Sequence, residues 1–156
     1  MTEKYFEKPY WVIDFLPDQV PPKSAGQYFA IEQYYLQQPG ITDIHHRFTD
    51  ILLKLNCYYD FQVIFPDESD QPVLNPAPEQ LASCLKEAQK DLCILLPGED
   101  ALITLNHDDT CMTVYHPSET LLSRMKQLAS AAGLFVWQPE SQYGTAGNDE
   151  KGGKPV

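Results

Sequence analysis

The chain has 156 residues and a formal net charge of −11 at pH 7, from 22 acidic and 11 basic residues. A field of this sign disfavours binding to nucleic-acid phosphates and to anionic membranes. No apolar run approaches the roughly 20 residues of a membrane-spanning helix. The N-terminus mixes Lys and Glu without the apolar stretch of a secretory signal. We therefore expect a cytoplasmic protein with no nucleic-acid or membrane partner.

The first 40 residues predict a strand followed by an aromatic helix. Residues 10–16 are rich in β-branched and aromatic side chains and end at Pro17, which is typical of a strand. Ser24 and Gln27 fit a capping box at the start of a helix. Within that helix Tyr28, Ile31 and Tyr35 share one face, whereas Phe29, Tyr34 and Leu36 lie elsewhere. Such a helix is either covered on two sides or keeps aromatic side chains free for a partner.

The rest of the chain predicts alternating strands and helices. Apolar periodicity, proline and glycine place helices at 41–56, 79–90 and 119–132, and strands at 61–65, 92–96, 101–106, 111–115 and 134–137. Ser118 caps the last helix, Gly133 ends it, and the segment 67–78 is a loop. If strands 111–115 and 134–137 share a sheet, the helix between them makes a parallel crossover.

The predicted fold class is α+β. It has a single mixed β-sheet with helices packed mainly on one face, in the order β-α-α-β-α-β-β-β-α-β. Residues 1–139 form one domain, and the glycine-rich residues 140–156 form a flexible tail.

The excess negative charge is concentrated in the middle of the chain. Residues 60–109 carry 11 acids and two bases, a net charge of −9, against −2 before them and 0 after them. Within this region the acids cluster in predicted loops: Asp67, Glu68, Asp70, Glu99, Asp100, Asp108 and Asp109. They form either a solvated surface or a docking patch for a basic protein partner. The spacing of a calcium-binding EF-hand loop is absent.

Three other groups of residues have side chains suited to chemistry. His107, Asp108 and Asp109 at the predicted hairpin tip could bind a metal with His116 or Asp100, although Asp is also favoured there for turn geometry. The four cysteines form no C-x-x-C pair and are interpreted as small buried apolar side chains in a reducing compartment, although export would allow disulfides. Asp14, flanked by apolar residues, must be paired, protonated or at a strand end.

Two segments carry a resemblance. Residues 7–14 (EKPYWVID) and 128–137 (LASAAGLFVW) resemble an uncharacterised family of small acidic proteins from anaerobic gut bacteria, over most of residues 5–139. The resemblance implies no activity and no site. In size, acidity and α+β make-up the chain is also similar to bacterial immunity proteins that neutralise secreted toxins.

The sequence thus favours a non-enzymatic module that binds a basic protein through its acidic loops, possessing neither a cofactor nor a resident metal. The alternative is a small metal-dependent hydrolase using the hairpin of His107, Asp108 and Asp109. A third hypothesis is a structural subunit that docks through the aromatic first helix.

Overall fold

The protein is described by a computed structural model that covers residues 2–37, 44–65, 71–87, 91–106 and 110–139, with the backbone alone in 84–87. Within these ranges the chain forms a seven-stranded sheet and four α-helices. The strands are β1 (Tyr10–Asp14), β2 (Gln62–Ile64), β3 (Val73–Leu74), β4 (Leu92–Leu96), β5 (Ala101–Leu105), β6 (Cys111–Tyr115) and β7 (Phe135–Trp137). The helices are α1 (Ala25–Leu36), α2 (Ile44–Leu55), α3 (Pro78–Glu87) and α4 (Glu119–Ala131).

The sheet has the strand order β3-β2-β4-β5-β6-β1-β7, and every neighbouring pair is antiparallel. Since β6 and β7 both run antiparallel to β1, they run parallel to each other on either side of it. The predicted α+β class and single sheet are confirmed, as is the parallel direction of the β6-α4-β7 crossover. The element order matches the prediction with one addition, the short strand β3 inside the predicted loop.

The main core lies between one face of the sheet and the helices α2, α3 and α4. Phe48 and Leu52 of α2, Leu81 of α3 and Met125 of α4 are fully buried against the sheet. Each such side chain contributes about 1.5–3 kcal/mol of burial free energy. The predicted packing of helices mainly on one face is confirmed.

The opposite face of the sheet is covered differently. A 3-10 turn at Glu3–Tyr5 places the Tyr5 ring against Leu95 and Leu102. This contact explains why β4 is buried on both faces and lacks the alternation of a half-exposed strand.

Several boundaries differ from the predictions for physical reasons. Strand β1 ends at Asp14, whose Oδ1 accepts the Phe15 N–H at 2.7 Å, so that donor is lost to the ladder. Ser24 makes no side-chain cap because it ends a 3-10 turn at φ −98°, ψ 9°, outside the extended conformation that a cap requires. Cys57 is exposed, so the prediction that all cysteines are buried is wrong; Cys111 is buried and Cys93 is half-buried.

The two predicted ends of α4 are confirmed. The Ser118 side chain accepts the Leu121 N–H at 3.1 Å. Gly133 follows the helix with φ +77°, the left-handed conformation that favours glycine.

Candidate binding surface

The strands begin and end at two opposite ends of the sheet. One of these, which we call the Asp14 end, contains Asp14 of β1, Phe65 after β2, Leu92 of β4, Leu105 of β5 and Thr110 before β6. The other, which we call the Asp100 end, contains the turn Pro97–Asp100 together with Tyr10, Tyr115 and His116. Four residue steps along β5 separate the two ends by about 14 Å.

Of the seven predicted acidic residues, the structure describes Glu99 and Asp100. Asp67, Glu68 and Asp70, and likewise Asp108 and Asp109, lie outside the described residues. The residues that flank these segments, Phe65 with Gln71 and Asn106 with Thr110, all belong to the Asp14 end. Because β2 and β5 are separated only by β4, their ends are about 10 Å apart. Asp91, exposed just before β4, adds a further acid at this end.

Glu99 and Asp100 lie at the opposite end and are already engaged within the protein. Ser118 Oγ donates to Glu99 Oε1 at 2.7 Å, and Tyr5 OH donates to Asp100 Oδ1 at 2.8 Å. The hydrogen bond from Tyr5 lowers the pKa of the Asp100 carboxyl, with a smaller contribution from Lys4 at 3.7 Å. The structure therefore does not bring these two acids together with the segments at the Asp14 end.

The further metal ligands considered for the hairpin are also at the Asp100 end. His116 Nδ1 lies 2.8 Å from the Asp100 carbonyl oxygen and 3.7 Å from its Oδ2. Both residues have left-handed backbones, with φ of 61° and 53°. His107, Asp108 and Asp109 lie outside the described residues. Their described neighbours Asn106 and Thr110 lie at the Asp14 end, so the length of the strands separates them from His116. Within the described ranges no group of three His, Cys, Asp or Glu side chains could hold a metal ion.

Helix α1 presents exposed apolar side chains to solvent. Phe29, Ile31 and Tyr34 are 47%, 48% and 60% exposed, while Tyr28 is buried. Of the residues predicted to share one face, Tyr28 is buried whereas Ile31 is exposed. The buried side of α1 is formed by Tyr28 and Glu32, with Tyr35 and Leu36 half-buried beside them.

Glu32 fastens α1 to the Asp14 end. Its Oε2 accepts hydrogen bonds from Tyr28 OH at 3.1 Å and from Thr110 Oγ1 at 3.0 Å. Thr110 is fully buried and directly precedes β6. Phe15, which follows β1, packs against two rings of α1. Its ring centroid lies 6.5 Å from that of Tyr28 and 5.2 Å from that of Tyr35. The exposed aromatic side chains thus belong to the same end of the molecule as the flanks of the two acidic segments.

The role of Glu32 is only partly visible in the sequence. Its spacing of four residues from Tyr28 is a local sign of a side-chain pair on a helix. Its contact with Thr110 spans 78 residues, and no local pattern indicates it.

A second surface feature lies at the start of α4. Glu119, Thr120, Ser123, Arg124 and Gln127 line an open polar hollow of about 400 Å³. The Arg124 guanidinium stacks on the Tyr58 ring at 4.1 Å and donates to Tyr59 OH at 3.3 Å, so its charge already has partners.

No family model, curated protein or solved structure matches this chain. In the described part of the chain, no helix is both long and apolar enough to cross a bilayer.

Proposed function

We propose that the protein is a non-enzymatic binding module that masks a basic surface of a partner protein, as an immunity-type inhibitor would. The observation that carries the proposal is the exposure of Phe29, Ile31 and Tyr34 on a helix fastened to the Asp14 end. Exposed aromatic side chains grouped on one element are typical of the anchors of protein interfaces.

The acidic segments supply the second part of the surface. The sequence places Asp67, Glu68, Asp70, Asp108 and Asp109 in the two segments whose described flanks are at this end. Acidic groups around an aromatic patch raise the association rate with a basic partner and orient it. The proposal leaves out Glu99 and Asp100, because their carboxylates are bonded to Ser118 and Tyr5 at the other end.

The test compares three variants of the full chain in affinity capture from a host lysate, at low and at high salt. One variant carries Asn or Gln at the five acids of the two segments, the second carries Phe29→Ser and Tyr34→Ser, and the control carries Glu99→Gln and Asp100→Asn. The captured protein is then purified, and its affinity for each variant is measured by calorimetry.

The expected partner is a basic protein. The five-acid variant should lose most of the salt dependence of binding, because exposed charges are screened within about 8 Å at physiological ionic strength. The helix variant should lose at least tenfold in affinity with its salt dependence unchanged, and the control should bind as the wild type does. A captured protein that binds all variants equally would refute the proposal.

A further inference from the structure

The N-terminal residues 3–9, which we call the strap, cover part of the sheet face opposite the main core, over strands β4 and β5. Tyr5 is 5% exposed and packs against Leu95 and Leu102. Ile64, Cys93 and Tyr115 pack around the same cluster, and Phe6 adds an edge contact to the Tyr115 ring at 5.2 Å. In the described chain, Tyr5 is the one member of this cluster that is not on a strand.

The strap is folded upon itself. The backbone N–H groups of Tyr5, Phe6 and Lys8 donate to the carbonyls of Thr2, Glu3 and Tyr5, all within the segment or next to it. Along the chain from residue 3, the first backbone hydrogen bond to the rest of the protein that the structure shows is at Pro9. Its carbonyl accepts the His116 N–H, where the strap joins β1. Residues 3–8 can therefore lift from the sheet without breaking these internal bonds.

Side chains fasten the strap at the Asp100 end. Tyr5 OH donates to Asp100 Oδ1 at 2.8 Å, and the Lys4 ammonium lies 3.7 Å from the same oxygen. The turn that presents this carboxylate has a left-handed backbone at Asp100, and His116 beside it is left-handed too. Conformations of this kind persist where surrounding contacts hold them and are common at clamps.

We propose that the strap is a displaceable cover, which exchanges between a closed state and an open state that uncovers an apolar surface around Leu95, Leu102 and Cys93. The contacts that the structure shows between the cover and the sheet include the buried Tyr5 ring, the Phe6 edge contact to Tyr115 and the side-chain bonds to Asp100, whereas the sheet below is held by the main core on its other face. Opening is consequently a local event, independent of global unfolding. The side chains that fasten the strap lie at the Asp100 end, and the inference does not depend on the proposed partner-binding surface.

Alkylation of the Cys93 thiol measures the open state in the full chain. The thiol is half-buried, and burial raises its pKa, so the closed state reacts slowly. Peptide-level mass spectrometry gives the rate for Cys93 separately, with the exposed Cys57 of the same molecule as an internal reference.

Tyr5→Ala should raise the alkylation rate of Cys93 by about tenfold or more, because it removes the buried ring that closes the cover. The milder changes Tyr5→Phe and Asp100→Asn should raise it severalfold while leaving the fold intact. Tyr5→Ala should also increase binding of the dye ANS, which reports exposed apolar surface.

The matched control is Tyr28→Ala, since Tyr28 is also a tyrosine with 5% exposure but lies on α1. It should leave the Cys93 rate unchanged relative to Cys57. If the Tyr5 and Asp100 variants react at the wild-type rate, or if Tyr28→Ala accelerates Cys93 as much as Tyr5→Ala does, the strap is not a displaceable cover.

Discussion

Replacing Glu32 should loosen α1 from the domain and with it the proposed aromatic anchors. The Glu32 carboxylate is 7% exposed and accepts hydrogen bonds from Tyr28 at 3.1 Å and from Thr110 at 3.0 Å. Hydrogen bonds to a charged group contribute about 1.5–3 kcal/mol each. Glu32→Ala removes both and should destabilise the docked helix by about 3 kcal/mol.

Glu32→Gln keeps the size and one acceptor oxygen, and it replaces charge-assisted bonds by neutral bonds of about half the strength. We expect a loss of about 1–2 kcal/mol for this variant. Part of this loss of stability should come from the hydrogen bond with Thr110. A double-mutant cycle of Glu32→Gln with Thr110→Val should therefore give a coupling energy of about 1 kcal/mol, within the range of directly bonded side chains.

The assay is native-state hydrogen exchange, which resolves α1 from the rest of the chain. Protection of the α1 amides should fall by about tenfold for each 1.4 kcal/mol lost. The amides of β4 and β5 should keep their wild-type protection, because the hydrogen bonds to Glu32 come from Tyr28 and Thr110, which lie outside these strands. Unchanged α1 protection in Glu32→Ala, or zero coupling with Thr110→Val, would show that the carboxylate does not fasten the helix.

Three further outcomes are expected. Ser118→Ala removes the cap of α4 and should lower the free energy of unfolding, measured in urea, by about 1 kcal/mol. A loss below about 0.3 kcal/mol, roughly the error of the method, would mean that the cap does not stabilise the protein. Gly133→Ala should cost about 1–2 kcal/mol, because the site has room for a methyl group but its φ of +77° is left-handed; an increase in thermal stability would contradict this reasoning. Tyr5→Phe should raise the pKa of Asp100 toward 3.8, measured by NMR titration of its carboxyl carbon. Since the folded pKa of Asp100 is lowered in the wild type, its stabilising contribution is present above pH 3.8 and is lost as the pH falls through that lowered value; an identical titration of the two proteins would contradict the role given to Tyr5.

Local patterns predicted most of the elements. Helix α4 was correctly bounded because Ser118 and Gly133 act through their own turns. Strand β4 was correct because its apolar run is uninterrupted, and β6 because its side chains alternate. Strand β3 was missed because it has two residues and lies between prolines, so pairing with β2 rather than propensity defines it. The cap at Ser24 was wrong because the preceding Pro22–Ser24 turn sets the backbone of that serine.

The candidate surface could be predicted from the sequence only in part, in contrast to the helices and strands. The acidic segments are visible in the charge count, but the position of their described flanks relative to Glu99 and Asp100 depends on strand order, which joins residues far apart in the chain. The exposure of Ile31 and Tyr34 depends on which side of α1 Thr110 and Phe15 hold against the domain. The wide apolar surface of α1 left two alternatives open, a helix covered on two sides or one with aromatic side chains free, and the structure shows Phe29 and Tyr34 exposed.

The position of β1 between β6 and β7 has a consequence for synthesis on the ribosome. Trp11 pairs with Val114, and Val12 pairs with Trp137, so the second strand partner is among the last described residues to emerge. At a translation rate of about 5–20 residues per second, the apolar residues of β1 wait roughly 5–20 s for even the first of these partners. During that time the nascent chain carries an apolar strand without its sheet partners, the kind of exposed segment that promotes aggregation during folding.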